Sequence, residues 1–244
     1  MMPLTLWLLV SLLGLFIVSN GLALVLGKPN AAHTQRAIPW LQRSTSLQLA
    51  IMAWLFWGLL LRTTSLGGFS LLIAIGMSVS FIADLIMAEI IRLPNRVIGG
   101  IATFALAHGL YSGAYLLVGQ TLGVFQVGVV GLCLSGLWVI GLLIWRQWVY
   151  SPNMPLLMNQ AALGYMVVIA TMVGLALAAA LGDPRLWTLA VGAGLFMISD
   201  LILGNQIFRK RPWRYVSEVV WLTYIGGQAL IVWSNLAALR VLSG

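Results

Sequence analysis

Eight apolar runs follow one another along this chain, and they leave it few folds to choose from. They cover about 4–26, 44–61, 66–90, 97–118, 122–145, 156–181, 186–207 and 215–239. As α-helices rising 1.5 Å per residue, runs of roughly 18 to 25 residues each cross a hydrocarbon core about 30 Å thick. A membrane barrel does not fit, because its strands read as short alternating segments and not as continuous apolar stretches. Composition agrees: 61% of residues are hydrophobic, 7% are charged and the mean hydropathy is +1.02, outside the range of a water-soluble domain. The first run has no Lys or Arg before it and is longer than the apolar region of a signal peptide, so it reads as a retained span. The expected fold class is all-α, a polytopic integral membrane protein with about eight transmembrane helices forming a single domain over residues 1–244.

Charge sets the expected orientation. The formal net charge of +8 comes from basic residues at span ends, a pattern that membrane topology explains better than nucleic-acid binding. Lys28, Arg36, Arg43, Arg92, Arg96, Arg146, Arg209, Lys210, Arg211 and Arg214 flank loops on one side, leaving Arg62, Arg185 and Arg240 on the other. The positive-inside rule makes the richer side cytoplasmic and both termini non-cytoplasmic. The expected partners are membrane lipids, to whose anionic headgroups the run "RKRPWR" at 209–214 is also suited, and no nucleic acid. Cys133 is the only cysteine, so no intramolecular disulfide forms and no cysteine cluster awaits a metal.

Against this apolar background two acids stand out. "FIADLIMAEI" carries Asp84 and "FMISDLILGN" carries Asp200, in nearly matching frames 116 positions apart. The same shift aligns Gly76 with Gly192, Ile82 with Ile198, Leu85 with Leu201 and Ile91 with Ile207, and it carries the third and fourth spans onto the seventh and eighth. An even number of spans between copies implies two parallel four-helix halves, 1–120 and 121–244, with a site at their interface. Glu89 has Arg92 three positions on, Glu218 has Arg214 four positions back, and Asp183 falls in an outer loop, so local pairing is expected to account for these three. Asp84 and Asp200 have no basic residue at helical spacing. They must find partners on other helices or hold their protons, since desolvation disfavours any charged carboxylate.

Counting inward at 1.5 Å per residue from the nearest boundary arginine puts Asp84 and Asp200 roughly 12–14 Å deep, Tyr224 about 15 Å and His108 about 18 Å. Four polar groups from four spans thus share one layer. Phe104, His108, Tyr111 and Tyr115 follow i, i+4, i+7, i+11 spacing along the fourth span; Trp221, Tyr224 and Gln228 do the same on the eighth. Such stripes serve helix packing as readily as a pocket, whereas ionisable residues inside a membrane point to function first. Gly109 and Gly113 fit a small-xxx-small packing pattern. Both lysines, Lys28 and Lys210, lie in loops, which leaves no intramembrane lysine for a Schiff base. With only His33 and His108 there is no three-histidine zinc site.

These segments also resemble a known family. "GMSVSFIADLIM" followed by "GGIATFALAHGLYSGAYL", then "GAGLFMISDLIL" followed by "WLTYIGGQALIV", is similar to the YhhN-like family of lysoplasmalogenases. Gly100, Phe104, His108 and Tyr111 fit that family's pattern in the fourth span; Ser199, Asp200, Thr223, Tyr224 and Gln228 fit it in the seventh and eighth. "YMVVIATM", Tyr165 to Met172, resembles its sixth span. The chain departs at Ala83, where the family has Gly, and at Arg43 and Ser44, where it has Lys-Pro; Arg43 still offers a cation to a phosphate.

The resemblance implies hydrolysis of the alkenyl ether bond of lysoplasmalogens to a fatty aldehyde and a glycerophospho-base. An enol ether resists bases but yields to acid, so the reaction needs a proton donor, a group that stabilises a transient cation, and a positioned water. Asp84 and Asp200 are the expected catalytic pair, by the two-carboxyl logic of glycosidases. Arg43, His108, Tyr111, Tyr224 and Gln228 are the expected substrate-binding and orienting residues, with a lysophospholipid as the partner and no metal or organic cofactor. The expected setting is a bacterial inner membrane. Composition alone also fits a proton-coupled transporter with midplane aspartates, or a non-enzymatic lipid-binding protein whose aspartates fasten helices.

Overall fold

The computed structural model describes residues 4–244, with side chains described from Trp7 onward. Among the described residues the apolar runs become eight long helices: α1 Leu4–Val25, α2 Pro39–Phe56, α3 Gly67–Met87, α4 Arg96–Thr121, α5 Val127–Ile144, α6 Leu156–Gly182, α7 Trp187–Arg209 and α8 Val216–Leu242. Single π turns extend α2 through Trp57–Leu61 and α5 through Trp145–Val149, and the 3-10 turn Pro184–Leu186 leads into α7. All eight are long and apolar enough to cross a membrane. The protein is an integral, multi-pass membrane protein.

Local chemistry moves some boundaries. α2 starts five residues before the apolar run, because Pro39 at the first helical position has its φ preset and lacks an N–H that would go unpaired there. This extra turn carries Gln42 and Arg43. α3 stops at Met87, and Glu89 takes a left-handed φ of 58° that turns the chain toward α4. Asn95 then caps α4, its side chain accepting from the N–H groups of Val97 and Ile98 at 3.1 Å each.

Two of the expected local ion pairs do not form. Glu89 pairs with Arg96 at 2.7 Å and not with Arg92, because the tight turn brings the start of α4 back over the end of α3. Glu218 is buried and accepts from the backbone N–H groups of Arg36 and, at 2.8 Å, Ala37, while Arg214 donates to the Tyr215 hydroxyl at 3.1 Å. A carboxylate facing two backbone donors of another loop gains more than it would from an exposed guanidinium. Asp183 does lie in a loop, where hydrogen bonds from Arg185 hold its carboxyl below the usual range.

The loops sort onto two ends of the bundle. Tyr215 and Ser217 donate backbone N–H groups to the carbonyls of His33 and Thr34, and Asn205 donates to the Trp148 carbonyl. The segments after α1, α5 and α7 therefore share one end. At the other end Arg185 donates to the Arg240 carbonyl at 3.4 Å.

Two tight hairpins, α3 with α4 and α7 with α8, form the centre. In lipid no hydrophobic force draws helices together, so close packing and interhelical hydrogen bonds must do so. A side chain at Gly76 would enter the Tyr111 ring, and one at Gly227 would sit 2.7 Å from the Gly192 carbonyl oxygen, so both hairpins close at glycines. Gly113 touches Leu72, but a methyl at Gly109 would meet nothing within 4 Å, so the small-xxx-small pair does not act as one packing face. Helices α2, α6 and the two hairpins enclose the core. α1 and α5 lie at its edge: Leu9 of α1 reaches the core, but most apolar side chains of these two helices face outward.

Candidate functional site

The stripes on α4 and α8 point inward. Phe104, His108, Tyr111 and Tyr115 are all buried on α4, as are Tyr224 and Gln228 on α8. Each aspartate meets this aromatic centre from its own hairpin. Asp84 on α3 accepts from the Tyr224 hydroxyl of α8 at 2.8 Å and from the Ser46 hydroxyl of α2 at 2.5 Å. Asp200 on α7 accepts from the Tyr165 hydroxyl of α6, and His108 of α4 holds its Nε2 3.5 Å from the same carboxyl oxygen. His108 Nε2 and the Tyr165 oxygen are 2.7 Å apart, so imidazole, phenol and carboxyl form a chain through which a proton can pass. The Nδ1 of His108 is buried and unpartnered among the described residues.

The two arrangements share a layout. Asp84 and Asp200 are 116 positions apart, and so are His108 and Tyr224. The aspartate of each hairpin thus meets the matching position on the second helix of the other. Between them Phe196 packs edge-on against His108, Phe104 and Tyr224, at centroid separations of 4.6, 5.9 and 5.0 Å.

Both carboxyls face one cavity of about 420 Å³. Gln42, Arg43 and Gln206 line it as well, along with Tyr224, Ser199 and Arg96. Arg96 is engaged with Glu89, whereas Arg43 makes no ion pair among the described residues. Arg43 is therefore the cation free to meet an anion there. Among the described residues no three His, Cys, Asp or Glu side chains converge as a metal site.

The expected site residues thus separate into two groups. Asp84, Asp200, Arg43 and Tyr224 line the cavity, and His108 stands directly behind Asp200. Tyr111 and Gln228 do not line it: they are fully buried and the Tyr111 hydroxyl donates to Gln228 Oε1 at 2.8 Å. Ser46 and Tyr165 were not among the expected residues. Depth was the available signal, since Ser46 is seven positions into α2 and Tyr165 nine into α6, or roughly 10 and 13 Å.

The comparisons with known proteins bear on the same region. The sequence model of the YhhN family matches residues 39–235, which span every residue of the site. No curated protein and no solved structure matches the chain. With well over half of its length matched, and with the aspartates, the aromatic stripes and Arg43 all inside the match, the chain belongs to the YhhN family.

Proposed function

We propose that the protein is a lysoplasmalogenase-type hydrolase, cleaving the alkenyl ether bond of a lysophospholipid to a fatty aldehyde and a glycerophospho-base. The observation that carries this reading is the facing of Asp84 and Asp200 into one cavity with the unpaired Arg43 beside them. An enol ether needs a proton at carbon and a water at the neighbouring carbon, and two carboxyls in different protonation states supply both. Phe104 and Trp221 in the wall beside the carboxyls lower the local dielectric, which strengthens the hold of a carboxylate on a transient oxocarbenium ion.

Arg43 binds the headgroup phosphate in this reading, with the bidentate geometry a guanidinium offers. Tyr224 and His108 orient the two carboxyls, and Tyr111 with Gln228 braces α4 against α8 behind them. The chemistry requires no cofactor. The two halves, 1–120 and 121–244, are copies of one four-span unit, a reading supported by the shared 116-residue offset of the aspartates and of His108 and Tyr224. The protein sits in a bacterial inner membrane with both termini outside and its arginine-rich end in the cytoplasm, as the distribution of basic residues favours.

The test is aldehyde release from an alkenyl lysophospholipid by the purified protein in detergent, beside Asp84→Asn and Asp200→Asn. Release by wild type and none by either well-folded variant is the expected result. No release by a folded, monodisperse wild type with choline or ethanolamine headgroups overturns the hydrolase and returns the aspartates to a transport role.

A further inference from the structure

A second cavity lies on the far side of Asp200. Its volume is about 70 Å³, and it is lined by α4, α6, α7, the π turn after α5 and the end of α3 at Met87. Ala162, Met166, Ile169 and Met197 are among its walls, and among the described residues Asp200 and Tyr165 bring the only ionisable groups to it. At roughly 10–15 Å³ per water-sized group it has room for about five methylenes, and a cavity so apolar favours hydrocarbon over water. Asp200, Phe104, Met87, Leu203 and Ile207 line both cavities, whereas Asp84 lines only the polar one.

On the reading that the substrate is an alkenyl lysophospholipid, we infer that the apolar cavity holds the first carbons of the alkenyl chain, making Asp200 the proton donor and Asp84 the base. The geometry of the bond decides this. In O–CH=CH–R the carbon that must be protonated is the one on the chain side, and water adds to the carbon that bears oxygen. A lipid with its phosphate near Arg43 and its chain in the apolar cavity places the double bond at the wall the cavities share, where Asp200 stands. The oxygen-bearing carbon then faces the polar cavity and Asp84.

The steps balance. The O–H bond of Asp200 breaks as a C–H bond forms at the chain-side carbon, leaving an oxocarbenium ion. Water adds to the oxygen-bearing carbon and gives a proton to Asp84, forming a hemiacetal. Asp84 returns that proton to the glyceryl oxygen as its bond to carbon breaks, and the hemiacetal hydroxyl proton passes to Asp200 as the aldehyde C=O forms. Both carboxyls end as they began, with one water consumed. Tyr165, bonded to Asp200 and to His108, is a positioning residue that holds the donor at the wall.

The experiment uses a saturated alkyl lysophosphocholine, which cannot be hydrolysed, with a diazirine at its fourth chain carbon. Irradiated with the purified wild type, it is expected to label Met166, Ile169 or Met197, and Ala162→Phe, which fills the cavity, is expected to cut that label at least tenfold. Label confined to the outward faces of α1 and α5 overturns the chain subsite without reference to any variant. Aldehyde release from the alkenyl lipid is measured on the same preparation: cavity label without release keeps the subsite and overturns the hydrolase, and release with label elsewhere does the reverse. Azide, a nucleophile that needs no base, separates the two acids. Renewed consumption of the alkenyl lipid by Asp84→Asn and not by Asp200→Asn supports the assignment, and the opposite pattern, or restoration of neither, overturns it.

Discussion

Taking one hydroxyl from Tyr165 would leave Asp200 with only the imidazole of His108, 3.5 Å away, to hold it. Asp200 becomes a carboxylate as its proton leaves, and a hydrogen bond to a charged group is worth about 1.5–3 kcal/mol, so Tyr165→Phe is expected to lower kcat about 10- to 100-fold. The thermal midpoint in detergent should stay near wild type; a large fall would make Tyr165 a structural clamp instead. Glu218 offers the opposite case. Its carboxylate serves the N–H groups of Arg36 and Ala37, and Glu218→Ala strands both, so stability should fall by about 1–3 kcal/mol. Glu218→Gln keeps an acceptor and should lose less, and Arg214→Ala should change nothing if the i, i+4 ion pair is absent. Thermal unfolding of the three variants checks this directly. Neither Tyr165 nor the true partner of Glu218 was legible in the sequence beyond a likeness of the sixth span. Both depend on contacts between segments far apart in the chain, which no local spacing encodes.

Among the helices, the two hairpins set how near the aspartates come to the opposite half. Gly227 lies against the backbone of α7, its missing side chain 2.7 Å from the Gly192 oxygen and 2.9 Å from the Phe196 nitrogen. Gly227→Val must push α8 from α7 and move Tyr224 away from Asp84. The expected outcome is a loss of about 1–3 kcal/mol with loss of activity. Gly109→Ala adds a methyl to open space and should leave both unchanged, which thermal scans and aldehyde release would measure side by side. Helix number and order were legible because a bilayer demands about 20 apolar residues per span. Helix ends were less so: α2 begins at a proline and α3 ends where Glu89 turns, and both are decided by backbone geometry and not by hydropathy.

For the molecule as a whole, orientation and polarity of the cavity belong together. With Cys133 replaced by Ser, a Cys at Thr63 should react with an impermeant maleimide from outside intact cells and one at Asn153 should not, since these lie at opposite ends of the bundle. The reverse labelling would turn the protein over and place the Arg43 end outside. Arg43→Ala should raise KM about tenfold, the worth of a charge-assisted bond, with Arg43→Lys between that and wild type. A steady-state titration with choline and ethanolamine lysolipids would show the split between KM and kcat.

The sequence alone determined that this chain is an all-helical membrane protein, that its basic residues gather at one end, and that Asp84, Asp200, His108 and Tyr224 share one depth. Those properties follow from hydropathy, charge and a fixed rise per residue, all of which act along the chain. Only the tertiary structure decided that Ser46 and Tyr165 hold the carboxyls, that Tyr111 and Gln228 brace each other behind the cavity, and that of the two aspartates Asp200 adjoins the apolar cavity as well as the polar one. Helix rotation and crossing fix those relations. They arise from packing at Gly76, Gly192 and Gly227, where the shape of a neighbour, and not the pattern of one helix, sets the outcome.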